Sequence, residues 1–496
     1  MQIIREALIL SKIYKYNTML NYMFRKKILL FVGLFLIFAK ISAQEKAFLQ
    51  DPYLQIGNNP SPKTLQLLWQ TADTNSIWSV EHNENGNWLK NEAPQITKIE
   101  ILGIITHYVY RSAFTNLNPG NIFAYRVLKN DKIVFNANGK ALKSFDQPNR
   151  FVVFGDIGAG TTEAKQIANG VFNAKPDLVL VPGDIVYDNG TISDYNKVFW
   201  PIYNANSVDS VGVPLMRNVP FVAAVGNHDA ESRDLDAKPD ALAYYHYWDQ
   251  PLNGPFSIEG GPVIPVLKGS DVNKKAFLEG AGARYPVMSN FSFNNGNAHW
   301  TVLDADTYVD WTNKDLLDWV AKDLENSQDA VWHFVLYHHP GFNSSIEHYE
   351  QQQMRLLATI FEKGKVDIVF NGHVHNYQRS FPLTFNPFNR GTLMVGGKEG
   401  KSIRGRVVPG SWKLDHNFDG KNNKKPNGVI YIITGAGGQT LYNPEQQDDS
   451  DSWQKFTDKF ISKVHTLTVV DINGKTLKLS QQTADGKELD AIEITK

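Results

Sequence analysis

The stretch Phe151-Val152-Val153-Phe154-Gly155-Asp156-Ile157-Gly158 places an apolar run directly before a glycine and a carboxylate. Near-continuous apolar runs are typical of strands that are covered on both faces. The same arrangement of apolar run and polar motif returns four times, in Gly183-Asp184-Ile185-Val186-Tyr187, Gly226-Asn227-His228-Asp229, Val335-Leu336-Tyr337-His338 and Gly372-His373-Val374-His375. Helical patterns lie between the runs, at 162–173, 314–324 and 349–361. Alternating strands and helices predict an α/β fold.

The polar motifs are expected to meet at one edge of the sheet, because open α/β sheets build their sites beyond the carboxyl ends of the strands. They supply two carboxylates, a phenol, an amide oxygen and three imidazoles, which is enough to hold two metal ions. Asp184 suits a bridging role, and His373 and His375 project to one side of an extended segment. Such a centre can activate water, neutralise phosphate oxygens and stabilise a leaving oxygen. The motifs therefore predict a two-metal hydrolase that acts on a small phosphate ester.

Composition excludes other classes of function. The formal net charge of the 496-residue chain is −1, so no nucleic-acid partner is expected. Cysteine is absent, which rules out disulfides, thiolate nucleophiles and zinc–thiolate sites. The length predicts two or three domains, and the sequence leaves the oligomeric state open.

The N-terminal 43 residues predict a signal peptide, with translation possibly starting at Met23. Arg25-Lys26-Lys27 precedes an apolar run over 28–39, and Ile41-Ser42-Ala43 offers a cleavage site before Gln44. The run is shorter than the roughly 20 residues that span a bilayer. We therefore expect a periplasmic or secreted protein with no stable membrane anchor; the alternative is a short anchor or a buried helix.

Residues 44–146 predict an all-β sandwich. Short alternating strands occur at 65–69, 77–80 and 106–111, and a turn at Leu117-Asn118-Pro119-Gly120 leads into another strand. This last stretch resembles a fibronectin type III-like module, in which the Tyr and Trp side chains are expected to form the core. Residues 148–496 form the α/β part, and 465–480 predict a hairpin that closes it.

The motif set resembles the calcineurin-like metallophosphoesterase superfamily, and Tyr187 makes it similar to the purple acid phosphatases of the two-domain plant type. The resemblance covers nearly all of the chain after residue 43. It implies a four-layer α/β/β/α sandwich behind the β-sandwich. It also implies an Fe(III) held by Asp156, Tyr187 and His375, with Asp184 as the bridge. A divalent Fe, Zn or Mn would then bind Asn227, His338 and His373; the alternative for Tyr187 is packing against the first helix.

The resemblance also implies an acid phosphatase reaction, the hydrolysis of phosphate monoesters by in-line attack of a metal-bound hydroxide. His228 would contact the substrate, together with Asn227, and would assist departure of the alcohol. His348 resembles the substrate-binding histidine of the family, with Glu347 as an alternative proton carrier. His339 is either structural or a substrate contact. Arg379 is expected to support its loop, with a phosphate contact as the alternative.

Two other functions stay open on the sequence. One is a phosphodiesterase or nucleotide-cleaving enzyme with the same metal centre, which the basic stretch 390–425 favours if it forms a phosphate-attracting rim instead of a solvated loop. The other is a surface-binding module that retains a metal site without catalysis. Residues 230–290 are either a substrate-facing loop or padding, so they do not separate these functions.

Overall fold

The computed structural model describes Met19 and residues 46–84, 86–230, 232–388 and 407–496. The predicted signal peptide lies outside the described residues, apart from Met19, and so does much of the basic stretch 390–425. In the described part, no helix has both the length and the apolar composition needed to cross a membrane. Residues Gln50–Lys496 form one compact unit.

The first part of this unit is all β. Its strands, β1–β8, are Gln50–Gln55, Leu65–Thr71, Trp78–Glu84, Asn87–Lys90, Gln95–Ile99, His107–Phe114, Ile122–Lys129 and Lys132–Lys140. They lie in the orders β1-β2-β6-β5 and β4-β3-β7-β8 in two different sheets. Trp69 stacks on Tyr110 with ring centroids 5.1 Å apart and also contacts Trp78. The predicted β-sandwich with an aromatic core is confirmed.

The second part mixes strands and helices. Strands β9–β23 are Asn149–Val153, Leu178–Val181, Phe221–Ala223, Phe291–Asn295, Ala298–Val302, Trp332–Leu336, Ile368–Asn371, Tyr377–Ser380, Leu383–Pro387, Gly410–Leu414, Ile430–Thr434, Thr457–Ile461, Leu467–Asn473, Thr476–Gln482 and Glu488–Thr495. The α-helices that follow residue 46, α1–α8 in the described ranges, are Thr162–Ala174, Ile192–Asp194, Trp200–Tyr203, Asn227–Ala230, Tyr244–Tyr247, Asp271–Ala281, Lys314–Asn326 and Ala358–Lys363. A short π-helix covers Tyr195–Phe199. Short 3₁₀ helices cover Gly282–Arg284, Val287–Ser289, Gln353–Leu357, Pro444–Asp448 and Ser450–Ser452.

Two mixed sheets pack face to face in this part. One contains β23-β22-β21-β9-β10-β11, and the other is β12-β13-β14-β15-β19-β16-β20. Phe151 of β9 contacts Trp300 of β13 and Phe334 of β14, with ring centroids 5.0 Å and 5.5 Å apart. Helices α1 and α7 cover the outer faces, where α1 contacts β21 and α7 contacts β13. The predicted four-layer α/β/β/α fold is confirmed.

Parallel pairing explains why the polar motifs meet. Strands β9, β10 and β11 are parallel neighbours in one sheet, and β13, β14, β15 and β19 are parallel neighbours in the other. Both sheets therefore end on the same side, and the loops after β9, β10, β11, β14 and β15 converge there. The first sheet also continues into the β-sandwich, because β1 pairs with β11 at Gln55 and Phe221. The boundary near residue 147 stays a prediction.

Two sequence predictions differ from the structure. A helix was expected over 349–361, but the segment is a 3₁₀ turn from Gln353 followed by α8 from Ala358. Residues 349–352 are irregular, and their side chains make other contacts: Gln351 bonds to His373, and Gln352 to the carbonyl of Tyr349. The closing hairpin is larger than expected, because β23 adds a third strand and β21 pairs with β9.

Candidate metal centre

The side chains of the seven predicted ligands lie together at the carboxyl ends of the strands. Ligand atoms of Asp156, Asp184 and His338 are all within 4.8 Å of one another. Asp156 follows β9, Asp184 follows β10, and Asn227 begins α4 after β11. His338 follows β14, and the remaining pair, His373 and His375, follows β15. Each ligand thus stands on a short loop that a buried strand holds in place.

Asp156, Tyr187 and His375 form the first half of the cluster. The Tyr187 hydroxyl donates to Asp156 Oδ1 at 3.2 Å and lies 3.3 Å from His375 Nε2. His375 Nδ1–H donates to the carbonyl of Thr440 at 2.8 Å, which leaves Nε2 facing the cluster. The ring of Tyr442 stacks on that of His375, with the two ring centroids 4.0 Å apart. The alternative that Tyr187 merely packs against the first helix finds no support, since its hydroxyl faces the ligands.

Asn227, His338 and His373 form the second half. His338 Nε2 lies 3.1 Å from Asn227 Oδ1, 3.2 Å from His373 Nδ1 and 3.2 Å from Asp184 Oδ1. The other nitrogen of His338, Nδ1, donates to the carbonyl of Pro182 at 2.7 Å. Asp184 therefore lies beside this half, and the Tyr187 phenol also interacts with it. That position fits the bridging role expected of Asp184.

The hydrogen bonds of His338 and His373 test whether this cluster fits a cation. The carbonyl of Pro182 places the proton of neutral His338 on Nδ1, and the side-chain oxygen of Gln351 places that of His373 on Nε2. The two remaining nitrogens, which face each other at 3.2 Å, then both present lone pairs. Two lone pairs at this distance repel each other unless a proton or a metal ion lies between them. Imidazole nitrogen and carboxylate oxygen together suit such an ion, so the residues fit a metal centre.

Backbone conformation also adapts to the site. Asp156, Asp184 and His373 all have left-handed φ angles, of 61°, 52° and 67°. A non-glycine residue in this region is strained, and such strain concentrates at functional sites. Glycine lets the loops approach: a Cβ on Gly226 would lie 2.4 Å from Asp184 Oδ1, and one on Gly435 would lie 2.7 Å from Asp156 Oδ2. The sequence motifs place glycine where side chains of neighbouring loops need the space.

The charges of the cluster depend on each other. Burial disfavours the charge of Asp184, but the neighbouring His338 more than offsets this, and the pKa of Asp184 is lowered. Burial alone would lower the pKa of His338. The nearby carboxylates of Asp184 and Asp156 outweigh burial, so the pKa of His338 is raised overall. Burial first, and then Asp184 and Asp156, raise the pKa of Tyr187 well above its usual value. A phenolate at Tyr187 therefore requires a cation that outweighs both effects.

Two residues of the site were missed by sequence reasoning. Gln351 is the partner that orients His373. Asp229 is buried and accepts backbone N–H groups of Gly226 at 3.0 Å and Ile185 at 3.0 Å, so it joins the loops that carry Asn227 and Asp184. Burial and the charge of Asp184 raise the pKa of Asp229 to about 7. Asp229 lies within the quoted Gly-Asn-His-Asp motif, which was the available signal; no sequence signal indicated Gln351.

The predicted substrate histidines lie at the rim. His228 Nδ1–H donates to the carbonyl of Asp188 at 2.8 Å, and its Nε2 lies 4.0 Å from Asp184 Oδ2. The ring of His348 lies 4.0 Å from that of His373. His339 is 2 % exposed, with Nδ1 3.3 Å from Asp306 Oδ1, which favours its structural role. Arg379 was expected to support a loop, but it lies in β16, where it bonds to Asp458 and Asp490.

Comparison with known proteins agrees with the fold and the motifs. Residues 149–377 match the calcineurin-like phosphoesterase family. The chain is 25% identical over 309 residues to purple acid phosphatase 15 of Arabidopsis thaliana, an alignment that covers 56% of this chain and 51% of that protein. It is 27% identical over 330 residues to purple acid phosphatase 1 of Ipomoea batatas, covering 61% and 60%. The alignments thus span about half to three-fifths of those relatives.

A solved structure extends the comparison to most of the fold. The purple acid phosphatase PPD1 from yellow lupin (Lupinus luteus) seeds aligns with a TM-score of 0.62 at 17% identity, covering 90% of this chain and 74% of that chain. The likeness therefore includes both the β-sandwich and the α/β part. The chain thus contains a calcineurin-like phosphoesterase domain at residues 149–377, and it is similar in sequence and in fold to purple acid phosphatases.

Proposed function

We propose that the protein hydrolyses phosphate monoesters at a centre of two metal ions. The observation that carries the proposal is the close approach of two imidazole nitrogens, His338 Nε2 and His373 Nδ1, beside Asp184 and next to a buried phenol. Asp156, Tyr187 and His375 would hold an Fe(III), and Asn227, His338 and His373 a divalent Fe, Zn or Mn, with Asp184 shared. When bound, the ions supply Lewis acidity that activates water and neutralises phosphate oxygens.

The ferric assignment rests on the chemistry of Tyr187. Burial and two carboxylates strongly favour its protonated form, so only a highly charged cation can hold it as a phenolate. A phenolate is a hard anionic ligand, and it suits a trivalent ion better than a divalent one. As metal ligands, Asn227 and the two imidazoles of the second half would be neutral, which suits a divalent ion.

His228 is placed to move a proton to the leaving alcohol. Because its Nδ1–H is held by the carbonyl of Asp188, Nε2 is the atom that faces the centre. Burial lowers the pKa of His228, but Asp184 and the carbonyl of Asp188 raise it overall. A protonated Nε2 can then protonate the departing oxygen. His348 and Asn227 would contact the substrate from the side of His373.

The metal dependence and the ester preference can be tested together. Purified protein should release nitrophenol from p-nitrophenyl phosphate, lose the activity with a chelator and regain it with iron and zinc. It should act at least tenfold more slowly on bis-p-nitrophenyl phosphate. A reversed preference would favour the phosphodiesterase function. No hydrolysis of either ester by metal-loaded protein would favour the non-catalytic binding module.

We also propose a periplasmic or secreted location, which rests on the signal-like sequence before Gln44. Fractionation of the expressing cells, with cleavage after Ala43 read by N-terminal sequencing, tests it.

A further inference from the structure

A cavity of about 520 Å³ opens beside the metal centre. One wall is the segment 344–351, and the opposite wall is formed by Gln446, Ser452 and Gln454. Two residues of the first wall also touch the metal-ligand cluster: Gln351 bonds to His373, and the ring of His348 lies 4.0 Å from the same histidine. Two residues that line the cavity are therefore in direct contact with a candidate ligand of the metal centre.

Hydrogen bonds to the backbone of Glu347 fix the first wall. The Glu347 N–H donates to Asn443 Oδ1 at 3.2 Å, and Asn343 Nδ2 donates to the carbonyl of Glu347 at 2.9 Å. Asn443 follows Tyr442, whose ring stacks on His375 and lies 5.5 Å from that of His348. The backbone of Glu347 is thus tied to the residue that follows Tyr442, one of the rings beside His375.

Charge on these walls is mostly negative. Glu347 and Glu350 line the cavity with exposed side chains. The opposite wall belongs to a segment that carries four carboxylates, on Glu445, Asp448, Asp449 and Asp451. Lys463 is paired with Asp448, and Lys455 follows the wall residue Gln454. The described residues that line the cavity include four ionisable side chains: His348, Tyr349 and the two carboxylates Glu347 and Glu350.

We propose that this cavity is a leaving-group subsite that selects phosphate monoesters of amino alcohols, with Glu347 and Glu350 as specificity-determining residues. The inference rests on the proposed phosphomonoesterase function. An ammonium group in the cavity gains from both carboxylates and from the ring of Tyr349, which lines the cavity. A second phosphate or a carboxylate in the leaving group is repelled by the same carboxylates. In the reaction, water oxygen bonds to phosphorus, the ester P–O bond breaks, and the amino alcohol leaves with a proton.

The test uses three esters that differ in one group: 2-aminoethyl, 2-hydroxyethyl and carboxymethyl phosphate. With the full-length metal-loaded protein, kcat/KM should fall in that order. The ratio of kcat/KM for the aminoethyl ester to that for the hydroxyethyl ester should fall about three- to fivefold in each of the single variants Glu347→Gln and Glu350→Gln. It should fall further in the double variant that carries both substitutions. Glu325→Gln, which removes an exposed carboxylate of α7, is the matched control and should keep the wild-type ratio.

The possible outcomes distinguish failure of the subsite proposal from failure of the proposed phosphomonoesterase function. A wild-type ratio at or below one, or an unchanged ratio in the double variant, would overturn the subsite while hydrolysis of p-nitrophenyl phosphate still supports the phosphatase. Failure to hydrolyse p-nitrophenyl phosphate would overturn the proposed function and the subsite with it.

Discussion

The two halves of the metal-ligand cluster are built differently. In the half with Tyr187, the imidazole of His375 is oriented by a backbone carbonyl, and the ligands include a carboxylate and a phenol. In the half with Asn227, the candidate ligands besides Asp184 are an amide and two imidazoles, and His373 is oriented by a side chain, Gln351. A backbone partner cannot be lost by mutation, whereas a side-chain partner can. We therefore expect the ligands of the first half to determine which metal binds there. We expect metal binding in the second half to be the more easily weakened by mutation.

Removing the shared carboxylate should have the largest effect, because it weakens both halves. We expect Asp184→Asn to lower kcat for p-nitrophenyl phosphate about 10³-fold or more, since losing one group that stabilises developing charge commonly costs 10²–10³-fold. Steady-state kinetics and metal analysis of the same preparation measure this. An active Asp184→Asn protein with full metal content would show that the halves do not share this ligand.

Tyr187→Phe should affect the first half alone. The wild-type protein should absorb in the visible region through the bond between the phenolate and iron, and the variant should lose that band and most of its iron. We expect activity to fall about 10²-fold, with divalent metal retained. Tyr442→Phe keeps the ring stacked on His375 and is the control, which should retain the band. A colourless wild-type enzyme with full activity would contradict the ferric assignment.

Gln351→Leu should affect the second half alone. Without the oxygen that accepts from Nε2, His373 loses its preferred tautomer, and we expect divalent-metal affinity to fall about 10- to 100-fold. Competition with a chelating dye measures the affinity. Gln352→Leu is the matched control, because the side chain of the neighbouring Gln352 bonds to the backbone of Tyr349 and Val408 instead of to His373. Equal affinity in both variants would mean that Gln351 does not position His373.

The smallest effect concerns a buried histidine outside the cluster. Burial lowers the pKa of His333 to about 4, although its Nε2 lies 3.0 Å from the carbonyl of Ser327. Its folded pKa is below the unfolded value of about 6.5, so the unfolded state binds more protons and stability falls as pH drops from about 6.5 towards 4. We expect His333→Gln to remove about 1 kcal/mol of this acid-induced loss. Urea unfolding at pH 7 and pH 4.5 measures it, and an unchanged pH dependence would contradict the assignment.

Sequence patterns predicted the fold and the meeting of the polar motifs because both depend on regular elements. Apolar runs define the strands, and a polar residue at the end of a parallel strand must lie at the shared edge. Contacts of irregular segments could not be predicted in this way. Gln351 reaches His373 only because residues 349–352 leave the helical path that their pattern indicated. Asp229 was visible in its motif, but its role depends on how closely the loop after β10 approaches.

The metal content of the purified wild-type protein, determined per chain by mass spectrometry, tests the account most directly. We predict two metal ions per chain, one of them iron, in preparations that hydrolyse p-nitrophenyl phosphate. Full activity with one ion or none would contradict the two-metal centre.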